Sequence, residues 1–157
     1  DKLKALNAML EEAKGHWASF NSDTAKEVLV SGDALAGMIY SGFSAKGREE
    51  GANIEYAFPT QSYIAWMDNV VLLKDAPNRD NALAFMDFLL EPENAAAVTN
   101  FARYAAGVEG VSDLLDDALR TLPEGNPPAS AGPAVFIDVC DEQTQAVYDQ
   151  IWTNVKK

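Results

Sequence analysis

Tyr63-Ile64-Ala65-Trp66-Met67-Asp68-Asn69-Val70-Val71-Leu72-Leu73 is a long apolar run broken at its middle by a carboxylate and an amide. Without Asp68 and Asn69 it reads as a strand buried on both faces, because such strands show continuous apolar sequence rather than alternation. A polar pair at that point needs a reason, since a buried ionised carboxylate is costly unless a cation or hydrogen-bond donor meets it. The expectation is that the strand ends at a cleft. Trp66 and Asp68, two residues apart and so on one face of an extended chain, would look into it together. An aromatic face beside an acid suits an organic cation, because ring quadrupole and carboxylate both favour positive charge and neither needs a metal. The plainer reading of the same residues puts Trp66 in the core and has Asp68 cap a turn at the strand end.

Outward from this stretch, composition sets bounds. A chain of 157 residues with 48% hydrophobic residues is long enough for one globular domain with a real core. A formal net charge of -12 argues against nucleic acid, which demands a basic face. The same charge is compatible with a cationic ligand, although net charge speaks first to solubility. One cysteine, Cys140, excludes an internal disulfide and a four-cysteine zinc site. No apolar run reaches the roughly 18 residues that a membrane-spanning helix needs. The chain opens at Asp1-Lys2-Leu3 with no apolar leader, inside an amphipathic pattern. We therefore expect a fragment whose export signal was removed or never attached.

On the amino-terminal side, Leu3, Leu6, Met9/Leu10 and Ala13 mark an amphipathic helix ending at Gly15. Asn21-Ser22-Asp23 is expected to cap a second helix over 24–30, with Ser22 or Asp23 serving as cap alone or also facing a ligand. Residues 34–40 form a compact apolar run between turn signals, predicting a buried strand of a parallel or mixed sheet. It ends at Tyr40, just before a helix over 44–50. Ligands of open α/β sheets sit beyond the carboxyl ends of strands, so Tyr40 is a candidate cleft wall or else a strand-end aromatic covered by that helix. Residues 54–58 alternate and predict a half-exposed strand closed by Pro59.

On the carboxyl-terminal side, Asn78 or Asp80 caps a helix with Leu83, Met86 and Leu89/Leu90 on one face. Glu91-Pro92 starts another, with Val98, Phe101 and Ala105 as the expected buried stripe. Tyr104, beside Gly107, is packing or a second aromatic at the cleft. Residues 111–122 predict an acidic helix with a solvated face. Residues 123–133, with four prolines and two glycines, form a surface loop. Residues 134–141 then lead into a final helix over 142–156 with Ala146, Val147, Ile151 and Val155 inward.

Catalysis has little support. His16 is the only histidine and has no partner signalled by sequence for a nucleophilic triad. Asp138, Cys140, Asp141 and Glu142 match no zinc or calcium spacing and read as a helix start. No glycine-rich phosphate loop is present, and neither cofactor nor metal is expected.

Several pieces in order resemble the periplasmic polyamine-binding proteins, the spermidine/putrescine receptors of ABC importers. They are Phe20-Asn21-Ser22-Asp23, Gly37-Met38-Ile39-Tyr40-Ser41-Gly42, Trp66-Met67-Asp68, the helix Asn81 through Pro92, and Tyr104, and together they cover essentially the whole chain. The resemblance implies an α/β, periplasmic-binding-protein-like (type II) lobe, a fragment of a two-lobe hinge protein that closes over its ligand. It also implies a non-enzymatic, periplasmic protein that delivers polyamine to a membrane permease. Residue by residue, it implies Trp66 stacking on the methylene chain, Asp68 pairing with an ammonium, and Tyr40 where the family usually has tryptophan. Tyr104 is then a pocket aromatic, Ser22 an accepting hydroxyl, and Asp138 stands where the spermidine receptor has glutamine.

Phe43 departs from the putrescine receptors, which carry aspartate there, and this removes an anchor for one ammonium. The family chain is about twice as long. The resemblance therefore implies residues 1–67 as the remainder of the second lobe, 68–110 crossing to the first, and 111–157 as a return with the final helix. Surface left by the missing lobe favours self-association. Two rivals stay open: a receptor of the same fold for another small ligand, and an acidic, helix-rich interaction domain. An exposed Asp68 far from Trp66, Tyr40 and Tyr104 would favour the latter.

Overall fold

The computed structural model describes residues 2–157; Asp1 lies outside the described residues. In chain order the helices are α1 (Lys2–Ala13), α2 (Ala25–Val30), α3 (Ser41–Glu49), α4 (Arg79–Leu90), α5 (Pro92–Ala102), α6 (Asp117–Thr121) and α7 (Glu142–Val155). Two short strands, β1 (Tyr63–Ala65) and β2 (Ala134–Phe136), pair in parallel with Tyr63 opposite Ala134 and Ala65 opposite Phe136. The described residues thus form a mixed structure of helices and one small parallel sheet. Two compact units divide it: Asp1–Met38 with Ile137–Lys157, and Ile39–Phe136.

In the first unit α1 packs on α7, where Ile151 and Val155 are buried. Leu3, Leu6, Leu10 and Ala13 of α1 are half-buried as expected, while Met9 of α1 and Ala146 of α7, also expected inward, are exposed. Asp141 caps α7 by accepting from the Thr144 N–H at 2.8 Å, satisfying one of the four amides left orphaned at a helix start. Val147, expected inward, is more than a third exposed. At α2 the expected cap is not used: the helix begins after Thr24 with no side-chain cap, and Asn21 instead accepts from the Asp23 N–H at 2.9 Å in a local turn.

In the second unit the main buried cluster is Ala95, Ala96 and Val111, flanked by Ala106, Val108 and Leu115. The small-residue face of α5 therefore turns inward, and Val98 and Phe101, expected to be buried, are exposed. The physical reason is close approach: alanines let the following segment, 106–115, lie tightly against α5, which rotates the larger side chains away. Helix α3 also buries a face of small residues, Gly42, Ser44, Ala45 and Gly47. Ion pairs pin it at two points. Arg48 Nη2 meets Glu124 at 2.5 Å, and Glu49 meets Arg103 Nε at 2.7 Å.

The strand expectations were only partly realised. Of the 63–73 run, residues 63–65 form ladder bonds, and Val70, Val71 and Leu73 are exposed. Residues 34–40 form no strand, and Leu35 is fully exposed at 102%. A strand exists only through its neighbour, and no described segment pairs with 34–40. Residues 54–58 keep the expected alternation of burial, with Ile54, Tyr56 and Phe58 half-buried, but without a ladder. The expected acidic helix over 111–122 is instead a 3-10 turn, Ser112–Leu114, followed by α6.

Candidate functional site

Three elements of the second unit converge on one aromatic cluster. Tyr40 is the N-cap residue of α3, extended at φ -67°, ψ 141° and making no side-chain cap bond, so its ring is free to project. Phe43 follows within the first turn of α3. Trp66 is the first residue beyond β1, where the ladder has ended and the side chain can turn outward. Tyr104 comes from the end of α5, where Arg103 takes the left-handed conformation at φ 68° and redirects the chain. That strained arginine is held by Glu49 and by Asp116 Oδ2 at 3.2 Å.

The four rings form a closed circuit of edge-to-face pairs. Tyr40 and Trp66 lie 5.1 Å apart between centroids, Trp66 and Tyr104 6.3 Å, Tyr104 and Phe43 6.5 Å, and Phe43 and Tyr40 6.0 Å. Interplanar angles run from 63° to 71°, the arrangement that sets a positive ring edge against a negative face. Tyr40 and Trp66 remain 43% and 48% exposed, so the cluster offers open ring surface.

Asp68 is exposed and forms no ion pair with any described lysine or arginine. It nevertheless lies near the cluster. Burial raises the Tyr104 phenol pKa above its usual value of 10.0, and the neighbouring Tyr40 phenol and Asp68 carboxylate raise it further against the opposing Phe43 backbone hydrogen bond. Asn69 turns back to donate to the Met67 carbonyl at 3.0 Å, and the Met67 methyl rests 3.7 Å from the position of a Cβ on Gly107. The strand-breaking pair thus has separate uses: Asn69 closes a local turn, and Asp68 stays outward with its charge unneutralised.

Of the six residues expected at a site, Tyr40, Trp66, Asp68 and Tyr104 share the second unit. Ser22 and Asp138 belong to the first unit, and both are exposed. Sequence reasoning missed Phe43 as a member of the wall, having read it only as the loss of an acid. Its signal was present, since Tyr40 and Phe43 are three apart at a helix start and fall on adjacent positions. Among the described residues no group of His, Cys, Asp or Glu is arranged to hold a metal, and no helix is long and apolar enough to cross a membrane. The chemistry on offer is exposed ring faces and one carboxylate without an ion-pair partner among the described residues, a combination of the kind that suits an organic cation.

Known proteins align with this chain along most of its length. The putrescine-binding periplasmic protein SpuD of Pseudomonas aeruginosa is 27% identical over 99% of this chain and 44% of its own length. The putrescine-binding periplasmic protein PotF of Escherichia coli is 27% identical over 90% of this chain and 39% of its own. The spermidine/putrescine-binding periplasmic protein of Salmonella typhimurium is 32% identical over 64% of this chain and 30% of its own. The chain spans less than half the length of these relatives. Residues 2–127 match the bacterial extracellular solute-binding proteins, and the chain belongs to that family.

Proposed function

We propose that this chain is part of the periplasmic solute-binding component of an ABC importer and that its ligand is a polyamine, spermidine or putrescine. The observation that carries the proposal is a circuit of four aromatic rings with open ring surface, with Asp68, an exposed carboxylate without an ion-pair partner among the described residues, two residues along the chain from its Trp66. An alkyl diamine or triamine needs both: rings to cover its methylenes, and an anion for an ammonium. In this reading Trp66 and Tyr40 stack on the carbon chain, Tyr104 completes the wall, and Asp68 pairs with one ammonium. Ser22 and Asp138 are proposed as further contacts on family resemblance. The relatives' names, which specify putrescine or spermidine binding, support the ligand class.

The chain is proposed to be a type II lobe fragment, with 1–67 completing one lobe, 68–110 crossing to the other and 111–157 returning. The receptor would hand its ligand to a membrane permease and carry out no reaction. A rival reading as an acidic interaction domain asks for Asp68 to be exposed and far from Trp66, Tyr40 and Tyr104; Asp68 is exposed but stands only two residues from Trp66. Titration calorimetry of a receptor spanning both lobes with spermidine, putrescine and a neutral diol of equal length tests the ligand class. Binding of the amines and not the diol is expected; equal heats from all three would sink the proposal.

A further inference from the structure

Gly42 lies in the first turn of α3, directly under the Tyr104 ring. A Cβ added there would meet Tyr104 Cδ2 and Cζ at 2.7 Å, closer than real Cβ atoms pack. Backbone conformation does not call for glycine at this position, because the glycines with positive φ are Gly32, Gly51 and Gly110. Helix propensity does not call for it either, since alanine is the better helix former. What glycine supplies is room for a ring.

We infer that Gly42 is a positioning residue for the ligand wall: its missing side chain lets the Cδ2–Cε2–Cζ edge of the Tyr104 ring sit against the first turn of α3, between Phe43 and Trp66. With a methyl group in that space the ring must move. The Tyr104 ring centroid lies 6.5 Å from that of Phe43 and 6.3 Å from that of Trp66, so its displacement changes the circuit itself rather than an idle surface. The inference rests on the proposed polyamine site for its functional meaning, although the steric contact stands independently.

The experiment is a cycle of Gly42→Ala, Tyr104→Ala and the double variant. Tyrosine-ring NMR, with the Tyr104 signals assigned by their loss in Tyr104→Ala, reads the contact without ligand. In Gly42→Ala those signals should move, while Tyr148 in α7 keeps its position and thermal unfolding shows no loss of stability. Unmoved Tyr104 signals overturn the inference. Affinity for spermidine and putrescine, measured in a receptor spanning both lobes, should fall about tenfold on Gly42→Ala alone and less than about twofold once Tyr104 is already alanine. Equal weakening in both backgrounds also overturns it, because the effect would then bypass the ring. If the parent receptor binds no polyamine, the ligand proposal fails, and the NMR result alone decides the role of Gly42.

Discussion

Asp68 and Trp66 carry the ligand proposal, and each makes a distinct prediction. Asp68 has no cation among the described residues, so Asp68→Asn removes a charge that only a ligand would neutralise. In a receptor spanning both lobes, polyamine affinity should fall about 10- to 100-fold, with unchanged thermal stability, as calorimetry and a melting curve would register. Trp66→Ala should cost about tenfold in affinity through lost ring contact, and Trp66→Phe distinctly less. A loss of stability without a loss of affinity would return Trp66 to the plainer reading as core. The one-letter pattern singled out Trp66 and Asp68 as candidates, because a polar interruption of an apolar run is a local feature. Phe43 was not legible as wall, because its contact with Tyr104 joins residues 61 positions apart.

Helix α3 is the element that builds the wall, and the Arg48–Glu124 pair holds it. Glu124 is nearly buried, with its side chain 3% exposed, and burial alone would push its carboxyl upward. Hydrogen bonds from Arg48 and Ser44 outweigh that penalty and hold it below its ordinary 4.5. A depressed folded pKa means this stabilisation is present above about 4.5 and is lost as pH falls through the lower, folded value. Unfolding midpoints should therefore drop below pH 4.5, and Glu124→Gln should flatten that part of the profile. Arg48→Ala leaves the acid buried without its cation and should destabilise by about 2 kcal/mol or more, with part recovered in the Arg48→Ala/Glu124→Gln double variant. Chemical denaturation of the four proteins measures both. From sequence, 123–133 was simply a proline-rich surface loop. That the loop delivers a buried carboxylate to a helix 76 residues earlier is a tertiary fact.

Large apolar side chains stay exposed over much of the molecule, including Val71, Leu73, Phe88, Phe101, Ile137 and Val139. Patches of this kind seek a partner surface. We predict that the isolated chain self-associates and binds spermidine weakly or not at all. Light scattering coupled to gel filtration should give more than the monomer mass, and calorimetry should give no micromolar binding. A monomeric chain with micromolar affinity would refute the fragment proposal. The relatives' greater length supports it, since each is more than twice the aligned span.

By itself the sequence determined the helices α1, α4, α5 and α7, the acidic character of the chain and, through its ordered motifs, its solute-binding family. Helices close their hydrogen bonds four residues away and reveal themselves in local periodicity. Only the tertiary structure decided which apolar runs became strands, which face of α5 turned inward and which rings met. Strand ladders and ring contacts join residues far apart in the chain, so their partners are chosen by packing. Residues 34–40 look like a strand but have no neighbour to pair with, and Tyr40, Phe43, Trp66 and Tyr104 meet because α3, β1 and α5 fold onto one place.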